Sequence, residues 1–498
     1  MLSAIKRALS LISDWHQKPF SISDIPAEDP KVYEMIARAD TIGVFQIESR
    51  AQMSMLPRLK PKCFYDLVIE VAIVRPGPIQ GGMVHPYLER RQGKAPISYP
   101  SDAVKNVLKR TLGVPIFQEQ VMQLAIVAAG FTPGEADQLR RSMAAWRRRG
   151  GLGHFEKKLI NGMRTRGYTT EFAQQIFKQI LGFGEYGFPE SHSASFALLV
   201  YVSCWLKYHE PAAFTCALLN SQPMGFYAPS QLIQDAKRHG IQFLPVDFLR
   251  SQYECHLVKA SDHDKPIVQL GFNTVKGISR RVAARIIQSR KNQPSLEQVI
   301  RITRLNKKEL DALAQADVFL GAVGDRHRAN WWTRGIDVNP PPLLANLTHE
   351  QNNIELPTPT EGENVIADYR SLGFTLRSHP LSIIRDQLRK RRLVTAKDLS
   401  KTRSGESIKV AGIVTCRQRP GTASGVVFVT LEDETGYVNV VIWNNIATEQ
   451  RRALLNAHLL GVSGHVEREG QVIHVIAKKL TDLSGLLGTL NTQSRDFH

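Results

Sequence analysis

Along the first 250 residues apolar positions return every three or four residues. Val121, Leu124, Ala125 and Ala128 share one face of a 3.6-residue repeat, as do Phe172, Ile176, Phe177 and Ile180, so this stretch is expected to be mostly helical. Glycine and proline punctuate it at Arg75-Pro-Gly-Pro78, at Gly150-Gly151 and from Gly182 to Pro189. Asp262 to Asp264 reads as a polar loop, Ile267 to Phe272 as a short strand, and about 273–332 as two short helical pairs. The Pro-, Asn- and Thr-rich stretch from Asn339 to Pro359 reads as a linker. From Ser407 the period changes to two. Strands are expected at Ile408 to Val414, Val426 to Leu431 and Val438 to Trp443, then a helix over Ala447 to Ala457, then strands at Leu459 to Val466 and Val472 to Ala477. Three strands, a helix and two strands is the element order of an OB-fold barrel.

The pattern therefore predicts a multidomain protein: a mostly α-helical region and a tandem helix-hairpin-helix, followed by an all-β OB-fold barrel. The expected boundaries are 1–250, 251–335, a linker with helices over 336–404, the barrel over 405–482 and a tail over 483–498. A chain of 498 residues has room for three or four such domains.

Charge sharpens the picture. Sixty-four Lys and Arg against 46 Asp and Glu leave a formal +18. Nine of the basic residues lie between Arg140 and Arg166, including Arg147, Arg148 and Arg149, with Glu156 the only acid there. A second group, Arg385, Arg389, Lys390, Arg391 and Arg392, precedes the barrel. Clustered cations point to a polyanion, since each phosphate they neutralise releases a condensed counterion. The longest apolar run, Ala194 to Leu206, is too short to cross a bilayer, and the first residues lack the blocks of a secretion signal, so no membrane and a cytoplasmic location are expected. Five scattered cysteines support neither a disulfide framework nor a thiolate zinc site.

Several motifs have a chemical and a packing reading. Val275-Lys-Gly-Ile-Ser-Arg280 fits a helix-hairpin-helix whose backbone N–H groups meet a phosphate, with Lys276, Gly277, Ser279 and Arg280 as DNA contacts, or an ordinary helical hairpin. Gln315 to Phe319 looks like a sliding-clamp peptide, but its apolar residues continue a helix and are expected to pack. Ser191-His192-Ser193 opens an apolar helix after a turn and suits capping at least as well as nucleophilic chemistry. No Gly-x-Ser-x-Gly elbow or Walker lysine motif is present. Asp262, Asp264 and the run Glu432-Asp433-Glu434 are the closest approach to a two-metal carboxylate set, and both read as turns. On the barrel, Phe428 and Trp443 are candidate base platforms flanked by Arg417 and Arg419, or core residues.

Five blocks carry a family resemblance: Gly43 to Arg50, Arg75 to Pro78, Gln118 to Met122, Leu139 to Met143, and Gly184 to Phe196. In this order they resemble the fingers of bacterial C-family DNA polymerases, the replicase alpha-subunit family, and the helix-hairpin-helix and OB elements follow in that family's order. Arg147 to Leu152, Leu218 to Pro229 and Ser494 to His498 resemble its error-prone, damage-tolerant branch.

The resemblance implies a DNA-directed nucleotidyltransferase using deoxynucleoside triphosphates and Mg2+. Its partners would be primer-template DNA, single-stranded template, and the sliding clamp with other damage-tolerance proteins. Residues 1–250 become the fingers, with 1–39 continuing from a palm. Arg140 and Arg141 match arginines that grip the incoming triphosphate, while Arg75, Gln118, Glu119, Tyr186 and His192 lie in blocks that shape the nucleotide pocket. The family's catalytic aspartates match nothing here, so the chain is expected to correspond to the carboxy-terminal half, to bind no metal and to be inactive alone. The alternatives are a non-catalytic DNA-binding remnant and part of the replicative subunit.

Overall fold

A computed structural model describes residues 1–149, 153–182, 188–225, 227–259, 265–290, 296–337, 355–421, 425–469, 472–490, 492 and 494–497. The chain divides into two compact units. One comprises residues 22–209 with 470–472; the other comprises 1–21, 210–469 and 473–498.

The first unit is helical, as the periodicity predicts. Its central helix, Phe64–Ile73, buries Leu67, Val68, Ile69, Val71, Ala72 and Ile73, and also Asp66 and Glu70. The long helix Glu190–His209 packs along it, pinned where the buried Ser193 hydroxyl donates to the Val68 carbonyl at 2.5 Å. Helix Gln118–Ala129 buries Val121, Leu124, Ala125 and Ala128, and Gly130 ends it in the left-handed conformation, φ 76°. Helix Thr170–Gly182 meets the short helix Pro76–Gln80 so closely that a Cβ on Gly182 would lie 2.6 Å from the Gly81 Cα. Only glycine fits there.

The second unit begins with helix Leu2–His16, which packs on helix Pro211–Leu219 and so is grouped apart from residues 22–209. A three-stranded sheet follows: β1 (Phe243–Leu244) runs parallel to β3 (Ile267–Gln269), and β2 (His256–Val258) antiparallel to it. Helices Arg280–Ser289, Leu296–Thr303, Lys307–Gln315 and Arg326–Gly335 form the tandem hairpin region. They share one core with the sheet, including Phe248, Phe272, Ile286, Ile300, Leu313 and Phe319.

Residues 355–404 are more than a linker. Helices Glu361–Ser371, Pro380–Ile383, Arg385–Lys390 and Ala396–Leu399 are docked by polar contacts. Arg326, 4% exposed, donates to the Asn364 carbonyl at 3.0 Å and pairs with Asp368, while Arg377 pairs with Asp317 at 2.6 Å. Composition hides this, because the partners stand 42 and 60 residues apart.

The barrel has the expected order. Strand β4 (Ser407–Gln418) is antiparallel to β5 (Val427–Asp433) and to β7 (Leu459–Glu469), β5 is antiparallel to β6 (Gly436–Ile442), and β8 (Val472–Asp482) closes the ring parallel to β6. Helices Asn444–Glu449 and Arg451–Asn456 connect β6 to β7. A short β9 (Arg495–Phe497) adds parallel to β4. Val410, Val429, Leu431, Val440, Ile442, Leu460 and Val475 fill the interior.

Candidate nucleotide and nucleic-acid sites

In the helical unit, helix Pro133–Arg149 starts at a reciprocal cap. The Thr132 N–H donates to Glu135 Oε2 at 2.9 Å and the Glu135 N–H to Thr132 Oγ1 at 3.3 Å. Ala136, Leu139 and Met143 are buried; Arg140 borders that stripe, and Asp137 and Arg141 turn progressively toward water. Arg140 donates through Nε and Nη2 to Asp137 Oδ1, both at 3.0 Å, and Arg141 Nη2 pairs with Asp137 Oδ2 at 2.7 Å. The hydrogen bond from Arg140 holds the Asp137 carboxyl below its ordinary value. One carboxylate thus aligns two guanidiniums whose side chains remain 41% and 74% exposed. Two cations restrained side by side in solvent are chemically suited to a triphosphate. Asp137 went unnoticed in the sequence, although its three- and four-residue spacing to the arginines was visible. The side chains of Arg147, Arg148 and Arg149 lie outside the described residues.

Three of the five pocket-shaping candidates, Arg75, Gln118 and His192, touch the buried Phe188, and Glu119 bonds just beyond it at Glu190. Arg75 lies 5.0 Å from the ring centroid and donates to Gln46 Oε1 at 2.6 Å. The Gln118 N–H donates to the Phe188 carbonyl at 3.4 Å. Glu119 Oε2 accepts the Glu190 N–H at 3.0 Å, capping the helix that carries His192, whose exposed ring meets Phe188 edge-on at 5.0 Å and lies tilted against Phe196 at 4.3 Å. The fifth, Tyr186, lies outside the described residues. A second group was missed: the Tyr65 hydroxyl donates to Glu190 at 2.8 Å, and Arg110 lies 3.6 Å over the Tyr65 ring while pairing with the same carboxylate.

In the other unit, Gly277 turns the hairpin at φ 87°, exposed, with only the Ala312 Cβ within 4 Å of where a side chain would start. Ser279 caps the next helix by accepting the Val282 N–H at 3.3 Å, and Arg280 sits 5.3 Å over the Tyr253 ring. Lys276 needs correction as a simple phosphate contact. Its Nζ donates to the Tyr369 and Arg370 carbonyls at 3.1 and 2.9 Å, binding the negative end of helix Glu361–Ser371.

On the barrel the four candidates separate. Trp443 is 53% exposed, and Arg419 reaches toward it, donating to Asn444 Oδ1 at 3.3 Å. Phe428 is half-buried on β5. Arg417 is not a DNA contact here: 8% exposed, it donates to the Leu454 and Ala457 carbonyls at 2.7 and 2.6 Å and to Ser494 Oγ at 2.6 Å. Strand alternation gives no sign of this, because its partners come from the end of helix Arg451–Asn456 and from the tail. Of the second basic group, Arg385 is likewise internal, forked onto Glu434 at 2.5 and 2.6 Å, while Arg389, Lys390, Arg391 and Arg392 are exposed. Val318 and Phe319 of the clamp-like peptide are buried, as the packing reading expects.

Two of the three carboxylates at the β5–β6 turn, Asp433 and Glu434, are engaged by the fold. Asp433 Oδ1 accepts from the Thr435 N–H and the Gly436 N–H, Oδ2 accepts the Ala396 N–H, and Glu434 holds Arg385. They do not fit a magnesium cradle. Within either unit taken by itself, the described residues bring no three His, Cys, Asp or Glu ligand atoms within 4.8 Å of one another. Among those residues no helix is long and apolar enough to cross a membrane.

Three family models match these regions. "Bacterial DNA polymerase III alpha subunit finger domain" covers residues 1–167, "Helix-hairpin-helix motif" 240–329 and "OB-fold nucleic acid binding domain" 408–483. Three relatives named "Error-prone DNA polymerase" align along all of this chain: 58% identical in Alkalilimnicola ehrlichii, 56% in Methylococcus capsulatus and 54% in Pseudomonas aeruginosa. Along its whole length the chain is similar to these polymerases, and its residues 1–167 match the finger domain of the bacterial DNA polymerase III alpha subunit. It resembles the error-prone branch throughout, and spans about half the length of these curated relatives, 49%, 49% and 48% respectively. The Arg140 and Arg141 pair falls inside the finger match, Gly277 inside the hairpin match, and Phe428 and Trp443 inside the OB match.

Proposed function

We propose that this chain is the nucleotide- and DNA-gripping part of an error-prone DNA polymerase that extends primers from deoxynucleoside triphosphates across damaged template. The observation that carries the reading is the Arg140–Asp137–Arg141 clamp. Phosphoryl transfer is accelerated mainly by positioning and by neutralising charge on the transferred group, and two restrained guanidiniums on an exposed helix face supply both. Gly277 and the Ser279-capped helix then hold a strand backbone through N–H groups, and Trp443 with Arg419 offers a stacking face and a cation to single-stranded template.

Bond-making belongs to carboxylates other than Asp433 and Glu434 of the β5–β6 turn, whose oxygens are already committed. Magnesium, when bound in the working polymerase, would screen and orient the triphosphate. The arginines here bind its remaining oxygens. The test is a steady-state measurement on a complete polymerase containing these residues. Arg140→Ala with Arg141→Ala should raise the KM for nucleotide at least tenfold and change the Kd for primer-template less than threefold. Equal losses in both would assign the pair to the DNA backbone and overturn the clamp.

A further inference from the structure

Within the second unit, a cavity of about 630 Å3 opens where helix Pro229–Arg238, the Lys276–Gly277 hairpin, the end of helix Glu361–Ser371 and strands β4 and β5 meet. Its walls include Ser230, Gln231, Lys276, Tyr369, Thr415 and Glu432. The volume lies in the roughly 300–1,000 Å3 range of sites for small organic ligands.

Its chemistry is mixed in a telling way. Glu432 is 5% exposed; the Tyr437 hydroxyl is hydrogen-bonded to its carboxylate, yet Oε1 meets no well-formed donor among the described residues. An acceptor buried without a donor is costly, so an N–H delivered by a ligand would relieve it. Burial lifts this carboxyl to about 7, Arg238 acting against the rise. At the same cavity Lys276 has one N–H beyond the two used on Tyr369 and Arg370, and the amino end of a ten-residue helix adds partial positive charge. Tyr369 contributes an aromatic wall. A bare anion would satisfy the cationic side but face Glu432, and an apolar ligand would satisfy neither.

We propose that this cavity receives one unpaired nucleotide of a single DNA strand, its phosphate toward Lys276–Gly277 and its base donating an N–H to Glu432. The hairpin lies one residue from the wall it shares, so a strand held at Gly277 reaches the cavity without a bridge. The inference rests on the DNA-binding reading above and narrows it to one nucleotide.

Photocrosslinking of the whole chain tests it, with a thymidine 12-mer carrying one 4-thiothymidine, which keeps its ring N–H, and peptide mapping of the adducts. Adducts are expected on 369–373 or 228–231. They should vanish in Ser230→Trp, which fills the cavity, and fall at least fivefold in Glu432→Gln, which keeps the shape but removes the carboxylate. The Kd by fluorescence anisotropy should move less than threefold. Unchanged Kd with adducts mapping only elsewhere, or persisting in both variants, overturns the cavity assignment. Equal labelling by 4-thiothymidine monophosphate alone overturns the strand in favour of a free nucleotide. Failure of the 12-mer to bind at all would instead remove the DNA-binding reading beneath it.

Discussion

Arg140 places two of its N–H groups on a single oxygen of Asp137, at 3.0 Å each, and the other oxygen of that carboxylate is left for Arg141. The acid is therefore both a brace and a competitor: it fixes the guanidiniums and also occupies donors that phosphate oxygens would use. Asp137→Asn in a complete polymerase should tighten ground-state nucleotide binding several-fold while lowering kcat, because charge is gained and orientation lost. Pre-steady-state kinetics separates the two. A fall in kcat with weaker nucleotide binding would show that the acid serves only the helix.

Arg417 makes a contrasting case. Its guanidinium satisfies two buried carbonyls and ties β4 to the tail, so Arg417→Ala should destabilise the barrel by about 2–4 kcal/mol. The salt dependence of DNA binding should not change, whereas Arg419→Ala should reduce that slope by about one phosphate. Urea unfolding and a salt titration of the same variants check both halves. A reduced slope for Arg417→Ala would return it to the DNA-contact list.

Much of this architecture is legible in the sequence because it depends on near neighbours. Helical periodicity marks Val121 to Ala128, the period-two segments mark the barrel, and Gly277 marks a hairpin that needs a left-handed turn. What stays hidden depends on distant pairing. Arg326 finds Asp368 and Arg385 finds Glu434 only once the chain has folded, so the helices expected within the linker span 336–404 are a docked layer over 355–404, and part of a basic cluster is internal. Alternation along a strand likewise says nothing about the carbonyls at the end of helix Arg451–Asn456 that capture Arg417.

Two buried groups give pH effects of opposite sign in the two units. Glu70 is fully buried with both oxygens unpartnered among the described residues, and desolvation raises its carboxyl to about 8. The folded state keeps a proton that the unfolded chain sheds near 4.5, so this contribution is full below pH 4.5 and is lost as pH climbs toward 8. Glu70→Gln should flatten that decline. His379, buried and accepting the Leu381 N–H at Nδ1 (3.2 Å), is lowered by desolvation to about 4. Its contribution is present above about 6.5 and lost as pH falls toward 4. Denaturation midpoints from pH 4 to 9, with separate probes for each unit, should show the two slopes. A Glu70→Gln profile parallel to wild type would contradict the first.

Gly277→Ala should leave the fold nearly intact, since the nearest atom to an added Cβ is 3.8 Å away, while costing about 1 kcal/mol for the left-handed backbone. DNA affinity should fall by more than that strain explains, through displaced N–H groups at the hairpin. Binding isotherms alongside thermal melts decide it; unchanged affinity would make the turn a plain helical connection.

The most direct measurement sets binding beside chemistry in one tube: the purified chain, labelled primer-template, all four deoxynucleoside triphosphates and magnesium. Tight binding that weakens steeply with added salt, with no primer elongation, is the expected result. Elongation by this chain alone, reduced by Arg140→Ala with Arg141→Ala, would place bond-making among these residues and contradict the division between gripping and catalysis.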